Sequence, residues 1–145
     1  ETFGSIRKWL GECVDGHPEC PGDTPRELPT RLIMVSPVEA EPSARLCETL
    51  GKTGQYCALS YCWGGDQVHK TTREKYAAYL QELPYEGLPQ TIRDAFQVAR
   101  SVGVGYIWID SLCIVQDDKE DVAREMAKMF QIYFNSCFTI SAASA

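Results

Sequence analysis

The stretch Tyr106-Ile107-Trp108-Ile109-Asp110-Ser111-Leu112-Cys113-Ile114 constrains the fold of this chain more than any other. A β-branched and aromatic run between Gly105 and Asp110, with a helical pattern on either side, reads as a strand buried on both faces of a parallel sheet. Such a strand delivers Asp110 and Ser111 to the carboxyl edge of the sheet, where ligands of open α/β folds bind. The switch from apolar to acidic also has a plainer reading, because Asp readily opens the turn after a strand.

The remaining elements arrange themselves around that strand. Ser5 to Cys13 has Ile6, Trp9, Leu10 and Cys13 on one helical face. Arg31–Val35 and Ala44–Thr49 read as an antiparallel pair packed beside the main sheet. Tyr56 to Tyr61 is the first strand of the main unit, and it stops at Cys62-Trp63-Gly64-Gly65-Asp66, where two glycines allow a tight turn or a close backbone approach. Thr71 or Thr72 caps a helix through about Leu83, with Tyr76, Leu80 and Leu83 on one face and Pro84 ending it.

Thr91 caps a second helix, with Asp94 at the third position, an apolar stripe of Ile92, Ala95, Phe96, Ala99 and Val102, and Gly103 as its stop. After Gln116-Asp117-Asp118 comes a third helix ending at Asn135. Its expected buried face is Val122, Met126, Met129, Phe130 and Tyr133, with Glu120, Asp121, Arg124 and Lys128 in water. Ser136 to Ala142 is the last strand.

Strands joined by helices make right-handed crossovers in one parallel sheet. Their carboxyl ends then gather Ser60, Tyr61, Trp63, Gly64, Gly65, Asp110, Ser111, Cys113, Gln116 and Ser141 along one edge.

Composition narrows the classes of function. At 145 residues, 44% apolar and 23% charged, the chain fits one domain. A net charge of −6 without a Lys/Arg stripe argues against nucleic acid as the main ligand. No apolar run approaches the ~20 residues of a membrane span, and no charged-then-apolar leader opens the sequence, which begins at Glu1. Seven cysteines, an odd number spread over strands and helices, fit reduced thiols in a cytoplasmic protein better than a disulfide framework. Cys13, His17 and Cys20, with Cys47 from afar, make a poor zinc set, because structural sites pair their ligands on both halves. No metal is expected.

Several of these stretches resemble the HET (heterokaryon incompatibility) domain of filamentous fungi. They are Tyr56-Cys57-Ala58-Leu59-Ser60-Tyr61-Cys62-Trp63-Gly64, Leu88-Pro89-Gln90-Thr91-Ile92-Arg93-Asp94-Ala95, the central strand with Gln116-Asp117-Asp118, and Glu125-Met126 through Met129, Tyr133 and Ile140-Ser141-Ala142. Leu28 to Leu32 and Arg45 to Thr49 look like the segment that precedes the HET core.

The resemblance implies a single domain over residues 1–145, with 1–50 as an N-terminal extension and 51–145 as a βαβαβ core, inside a larger fungal protein. The fold class it implies is α/β: a TIR-like (flavodoxin-like) parallel sheet flanked by helices, with an N-terminal helix and an antiparallel β pair added. It further implies an intracellular effector of programmed cell death in non-self recognition. Some TIR domains cleave NAD⁺ and others act only as assembly scaffolds.

If this chain cleaves NAD⁺, an ionised carboxylate must stabilise an oxocarbenium-like centre. Asp110 is the better placed and Glu125 the second candidate, although one more Glu on a helix is usually a solvated group. Trp63 or Tyr61 can stack the base, and Gly64 and Gly65 can face a pyrophosphate. Cys113, without a nearby His, reads as an inert thiol, and Trp108 as core. No cofactor is expected, NAD⁺ entering as substrate. The alternative is a scaffold that acts through self-association and with other domains of the larger protein. A hydrolase with a metal on Asp110 ranks last, for want of a second acidic ligand.

Overall fold

The computed structural model describes residues 25–142 together with Ser5 and Lys8, which are helical. The remaining residues of the expected Ser5–Cys13 helix, and Cys13, His17 and Cys20 of the weak zinc set, lie outside the described residues.

Seven strands and four α-helical segments follow. The strands are β1 (Arg26–Glu27), β2 (Arg31–Val35), β3 (Ala44–Glu48), β4 (Thr53–Gly54), β5 (Cys57–Tyr61), β6 (Tyr106–Ile109) and β7 (Thr139–Ala142). The helices are α1 (Arg73–Gln81), α2 (Gln90–Val102), the single turn α3 (Asp110–Cys113) and α4 (Lys119–Asn135). A 3₁₀ turn spans Tyr85–Gly87 between α1 and α2. The chain is thus α/β, with helices against a five-stranded sheet and a separate β1–β4 ribbon.

The sheet is mixed, with order β3-β2-β6-β5-β7. β5 runs parallel to both β6 and β7, as expected of strands joined by helices. The antiparallel β2–β3 pair does not pack beside this unit but is hydrogen-bonded into it, through antiparallel pairing of Ile33 with Ile107 and Met34 with Tyr106. An all-parallel sheet is therefore corrected to a mixed one. The reason is visible in β2 itself: Arg31, Leu32, Ile33 and Val35 are all buried, the pattern of an interior strand covered on both faces.

Connection handedness sets the layers. From β5 the chain crosses to β6 on one side through α1 and α2, then passes back over β5 to β7 through α4. Two right-handed crossovers in opposite directions put their helices on opposite faces of the sheet. Trp108 meets Tyr133 of α4 edge-on at 5.5 Å between ring centroids, so its neighbours Ile107 and Ile109 turn to the other face. Trp108, Ile107, Ile109, Phe96, Leu32, Ile33 and Leu59 are all essentially inaccessible to solvent. Burying each contributes roughly 1.5–3 kcal/mol.

Helix ends follow local chemistry, with one surprise. Thr72 caps α1 by accepting from Lys75 N–H at 3.3 Å, and the helix stops at Gln81, two residues before Leu83. α2 starts at Gln90, with Pro89 in the cap position, so Thr91 is inside the helix and is not its cap. Proline fixes the entry dihedral and supplies no side-chain acceptor. Gly103 ends α2 at φ 90°, a left-handed conformation that favours glycine. Asp118 caps α4 through the N–H groups of Glu120 and Asp121.

The face of α4 departs most from expectation. Its buried residues are Asp121, Glu125 and Ile132, with Val122, Met129 and Tyr133 half-buried against the core. Met126 and Phe130, expected inside, are exposed, and Asp121, expected in water, is inside. Arg31 at the head of β2 explains the difference: its guanidinium donates to both Asp121 oxygens, at 2.9 and 2.8 Å, and to the Cys113 carbonyl at 2.9 Å. Val115 N–H adds a third bond to Asp121 at 2.9 Å, and Arg124 a fourth at 2.7 Å. Satisfying that carboxylate turns the helix by its polar side toward the sheet.

Candidate functional site

The order β6-β5-β7 makes β5 the strand about which the chain reverses direction. In open α/β sheets the crevice at the carboxyl ends beside such a reversal is where ligands bind. Here β5 ends in Ser60 and Tyr61, β6 hands over to Asp110, and β7 places Ser141 in register beside Ser60.

Each side chain at that edge is held from a different element. Trp63, just past β5, donates its indole Nε1–H to Asp110 Oδ1 at 3.2 Å. Tyr61 and Ser111 share a hydrogen bond of 3.1 Å between their hydroxyls. Tyr133, half-buried on α4, lies close enough to the edge to feel the charge of Asp110 and the hydroxyl of Ser60. Asp110, Ser60, Tyr61, Trp63 and Ser111 thus form one connected cluster, and Tyr133 joins them.

The backbone under Asp110 is firmly tied. Asp110 opens the turn α3, so the plain turn-forming role and the edge position hold together. Gln116 donates from Nε2 to the carbonyls of Asp110 and Ile114, both at 2.9 Å. Thr71, fully buried just before α1, donates its N–H to the Ser111 carbonyl at 2.9 Å and its hydroxyl to the Leu112 carbonyl at 2.5 Å. Gln116 N–H returns to the Thr71 carbonyl at 2.9 Å.

Electrostatics follow from partial burial. Burial pushes the Asp110 carboxyl above its ordinary pKa, and the Trp63 indole and the Ser111 N–H offset only part of that rise. The Tyr61 hydroxyl is raised by burial, eased by Ser111 and raised again by the nearby Asp110 charge. Tyr133 is raised by burial and by Asp110, with Ser60 acting the other way. One carboxylate is therefore felt by both tyrosines, one reaching the edge from β5 and the other from α4.

The other expected residues sit elsewhere. Gly64 and Gly65 lie in the exposed loop after Trp63, and Gly65 has φ 145°, where a side chain would be strained. Cys113 does not reach the edge. It is fully buried, its Sγ accepts the Ile109 N–H at 3.5 Å, and burial pushes its thiol up to about 12.

Glu125 is also inside, and fully buried rather than solvated. Its Oε2 accepts from the Thr30 hydroxyl at 2.8 Å, with Lys128 at 3.9 Å, while Oε1 has no hydrogen-bond partner among the described residues. These contacts join α4 to Thr30, the residue just before β2, and not to the Trp63–Asp110 pair. Among the described residues no group of three or more His, Cys, Asp or Glu is arranged to hold a metal ion. No helix among them is long and apolar enough to cross a membrane.

Tyr133 and Thr71 are the residues that sequence reasoning placed otherwise, as core and as a candidate helix cap. A signal existed for the first: a tyrosine on a buried helical face needs a partner for its hydroxyl.

The strand carrying Ser60–Trp63, the Asp110 turn and the α4–β7 unit all fall within residues 56–145, which match the family model described as Heterokaryon incompatibility protein (HET). The match covers more than half of the chain. The chain belongs to the HET family. Membership assigns it to heterokaryon incompatibility, and the cluster around Asp110 is built wholly from the HET region. No curated protein and no solved structure is significantly similar to this HET chain.

Proposed function

We propose that this HET chain is a cell-death effector of non-self recognition and that its strand-end cluster hydrolyses NAD⁺ to nicotinamide and ADP-ribose. The observation that carries this reading is the position of Asp110: a half-buried carboxylate at the carboxyl edge of β6, beside the reversal at β5, held by Trp63 and next to Tyr61 and Tyr133. A likeness to TIR-type enzymes supplies the substrate class, and the residues present are compatible with it.

In the reaction the bond between the nicotinamide nitrogen and the anomeric carbon breaks, and its electron pair leaves with the nitrogen, neutralising the pyridinium. Positive charge develops on the ribose, and ionised Asp110 stabilises it at close range in a partly dehydrated setting. Water then adds to the anomeric carbon, and its proton passes through Asp110 to solvent. Trp63 fixes the carboxylate, and its ring or that of Tyr61 gives the base a flat surface. Hydroxyls of Ser60, Ser111 and Ser141 are of the right type for ribose or phosphate oxygens.

NAD⁺ consumption by the purified chain, measured beside Asp110→Asn, tests the proposal. Turnover lost in a folded Asp110→Asn protein supports hydrolysis. Cell killing that survives Asp110→Asn would instead favour the second reading, assembly without chemistry.

A further inference from the structure

A helix of one turn does not hold its own shape, because a single turn forms too few hydrogen bonds to offset the ordering of its residues. The turn α3 nevertheless carries Asp110 at its start. The Asp110 carboxyl is held by the Trp63 indole at 3.2 Å and by the Ser111 N–H of that same turn. Its place is therefore inherited from the backbone that follows it.

Every backbone polar group from the Cys113 carbonyl to the Gln116 N–H has a partner, and these partners account for the shape of the segment. Within it, Ile114 N–H bonds to the Asp110 carbonyl at 3.3 Å and Asp118 N–H to the Val115 carbonyl at 3.2 Å. Thr71 and the Gln116 side chain take the Gln116 N–H and the Ile114 carbonyl. The remaining two groups go to one buried ion pair: Arg31 Nη1 donates to the Cys113 carbonyl and Asp121 Oδ2 accepts the Val115 N–H, both at 2.9 Å. Arg31 and Asp121 are joined to each other by two further bonds, so the pair grips the chain as a unit on either side of Ile114.

We infer that Arg31 is a positioning residue for Asp110: paired with Asp121, it grips the chain at Cys113 and Val115 and so fixes the turn that aims the Asp110 carboxyl at Trp63. Arginine suits this role because its planar guanidinium presents N–H groups at fixed angles to the carboxylate and the carbonyl together. A lysine ammonium is a flexible point charge without that fork. The Tyr76 ring, 5.5 Å from the Arg31 guanidinium, and the Tyr76 hydroxyl, 3.4 Å from Nε, steady Arg31 from α1.

The inference concerns where Asp110 is held. Its bearing on catalysis rests on the role proposed for Asp110 above, but the test contains no nucleotide, so either proposal can fail alone.

The Trp63 indole N–H reports the aim of Asp110 in nitrogen–proton spectra of the 145-residue chain, and Trp63→Phe identifies its resonance among those of the three tryptophans. Acid titration of that resonance follows Asp110. The other titratable groups that feel Asp110, namely Tyr61, Tyr133 and Cys113, are all raised and stay neutral in acid. Arg31→Lys keeps the positive charge, so a change reports geometry. It should speed exchange of the indole N–H with water about fivefold, as for loss of one hydrogen bond. It should also move the titration midpoint to higher pH, since the indole holds the carboxyl down.

Arg100→Lys is the control. Arg100 is also buried and donates to three carbonyls, those of Ser36, Pro37 and Ala40, beyond the far end of β2. Its substitution should lower the melting temperature and leave both the resonance and the midpoint in place. Asp121→Asn, which weakens the same fork from its other side, replaces Arg31→Lys should that protein not fold. An indole resonance and midpoint unmoved by the substitution in the pair, or moved equally by Arg100→Lys, would overturn the inference.

Discussion

Asp110 combines a favourable place with an unfavourable environment. Burial raises its pKa, so the ionised form costs stability above that pKa, and the cost disappears as pH falls below the value of the unfolded chain. Asp110→Asn is therefore expected to keep or raise the melting temperature at pH 7 while lowering NAD⁺ turnover by about 10²-fold or more. A melting scan beside the activity assay separates this from simple misfolding. Trp63→Phe removes the indole donor that holds the carboxyl down, so the acidic limb of the pH–rate profile should move to higher pH. An unmoved limb would remove Asp110 from the reaction. At this scale the sequence was informative where a strand end fixes direction, as for Asp110, Ser111 and Tyr61. It was uninformative for Tyr133, whose reach from α4 to Ser60 depends on how the helix is rotated.

That rotation is a property of elements in combination. Hydrophobic periodicity alone placed Met126 and Phe130 inside α4, because an apolar count does not reveal that a carboxylate on the neighbouring face has a buried arginine waiting for it. Arg31 and Asp121 are distant in sequence and adjacent in space. Asp121→Asn leaves the Arg31 guanidinium poorly paired and is expected to cost about 3–5 kcal/mol in urea unfolding. The same pair sets a pH dependence. Burial alone would raise Asp121, but Arg31, the Val115 N–H and Arg124 outweigh it and hold its carboxyl below the ordinary range. The stability it adds is present above roughly pH 4, the unfolded value, and is lost as pH falls below it. This should appear as a steeper acid limb in the native chain than in Asp121→Asn. Thr72→Ala, a smaller change at the α1 cap, should cost about 1 kcal/mol.

Across the whole molecule, β6 is the best-protected strand, flanked by β5 and β2 and covered on both faces. Its amides at 107–109 should exchange most slowly with deuterium, and those of edge strands β3 and β7 faster. Equal protection across the sheet would contradict this order. The α/β class and the strand–helix alternation were legible in the sequence because each crossover leaves a local signature of strand, cap and amphipathic stripe. Placement of β2 and β3 was not, because antiparallel pairing with β6 joins residues more than 70 positions apart and leaves no local trace.

That placement separates inheritance from folding. The family signature begins at Tyr56, yet β6 inside it takes its second neighbour, and Asp121 its counter-charge, from residues 31–35. A fragment cut at the start of the signature would bare one side of its central strand and leave the buried Asp121 carboxylate with the half-exposed Arg124 as its counter-charge. Grafting the recognisable motif into another protein would thus transfer its strand-end cluster without the piece that closes its sheet.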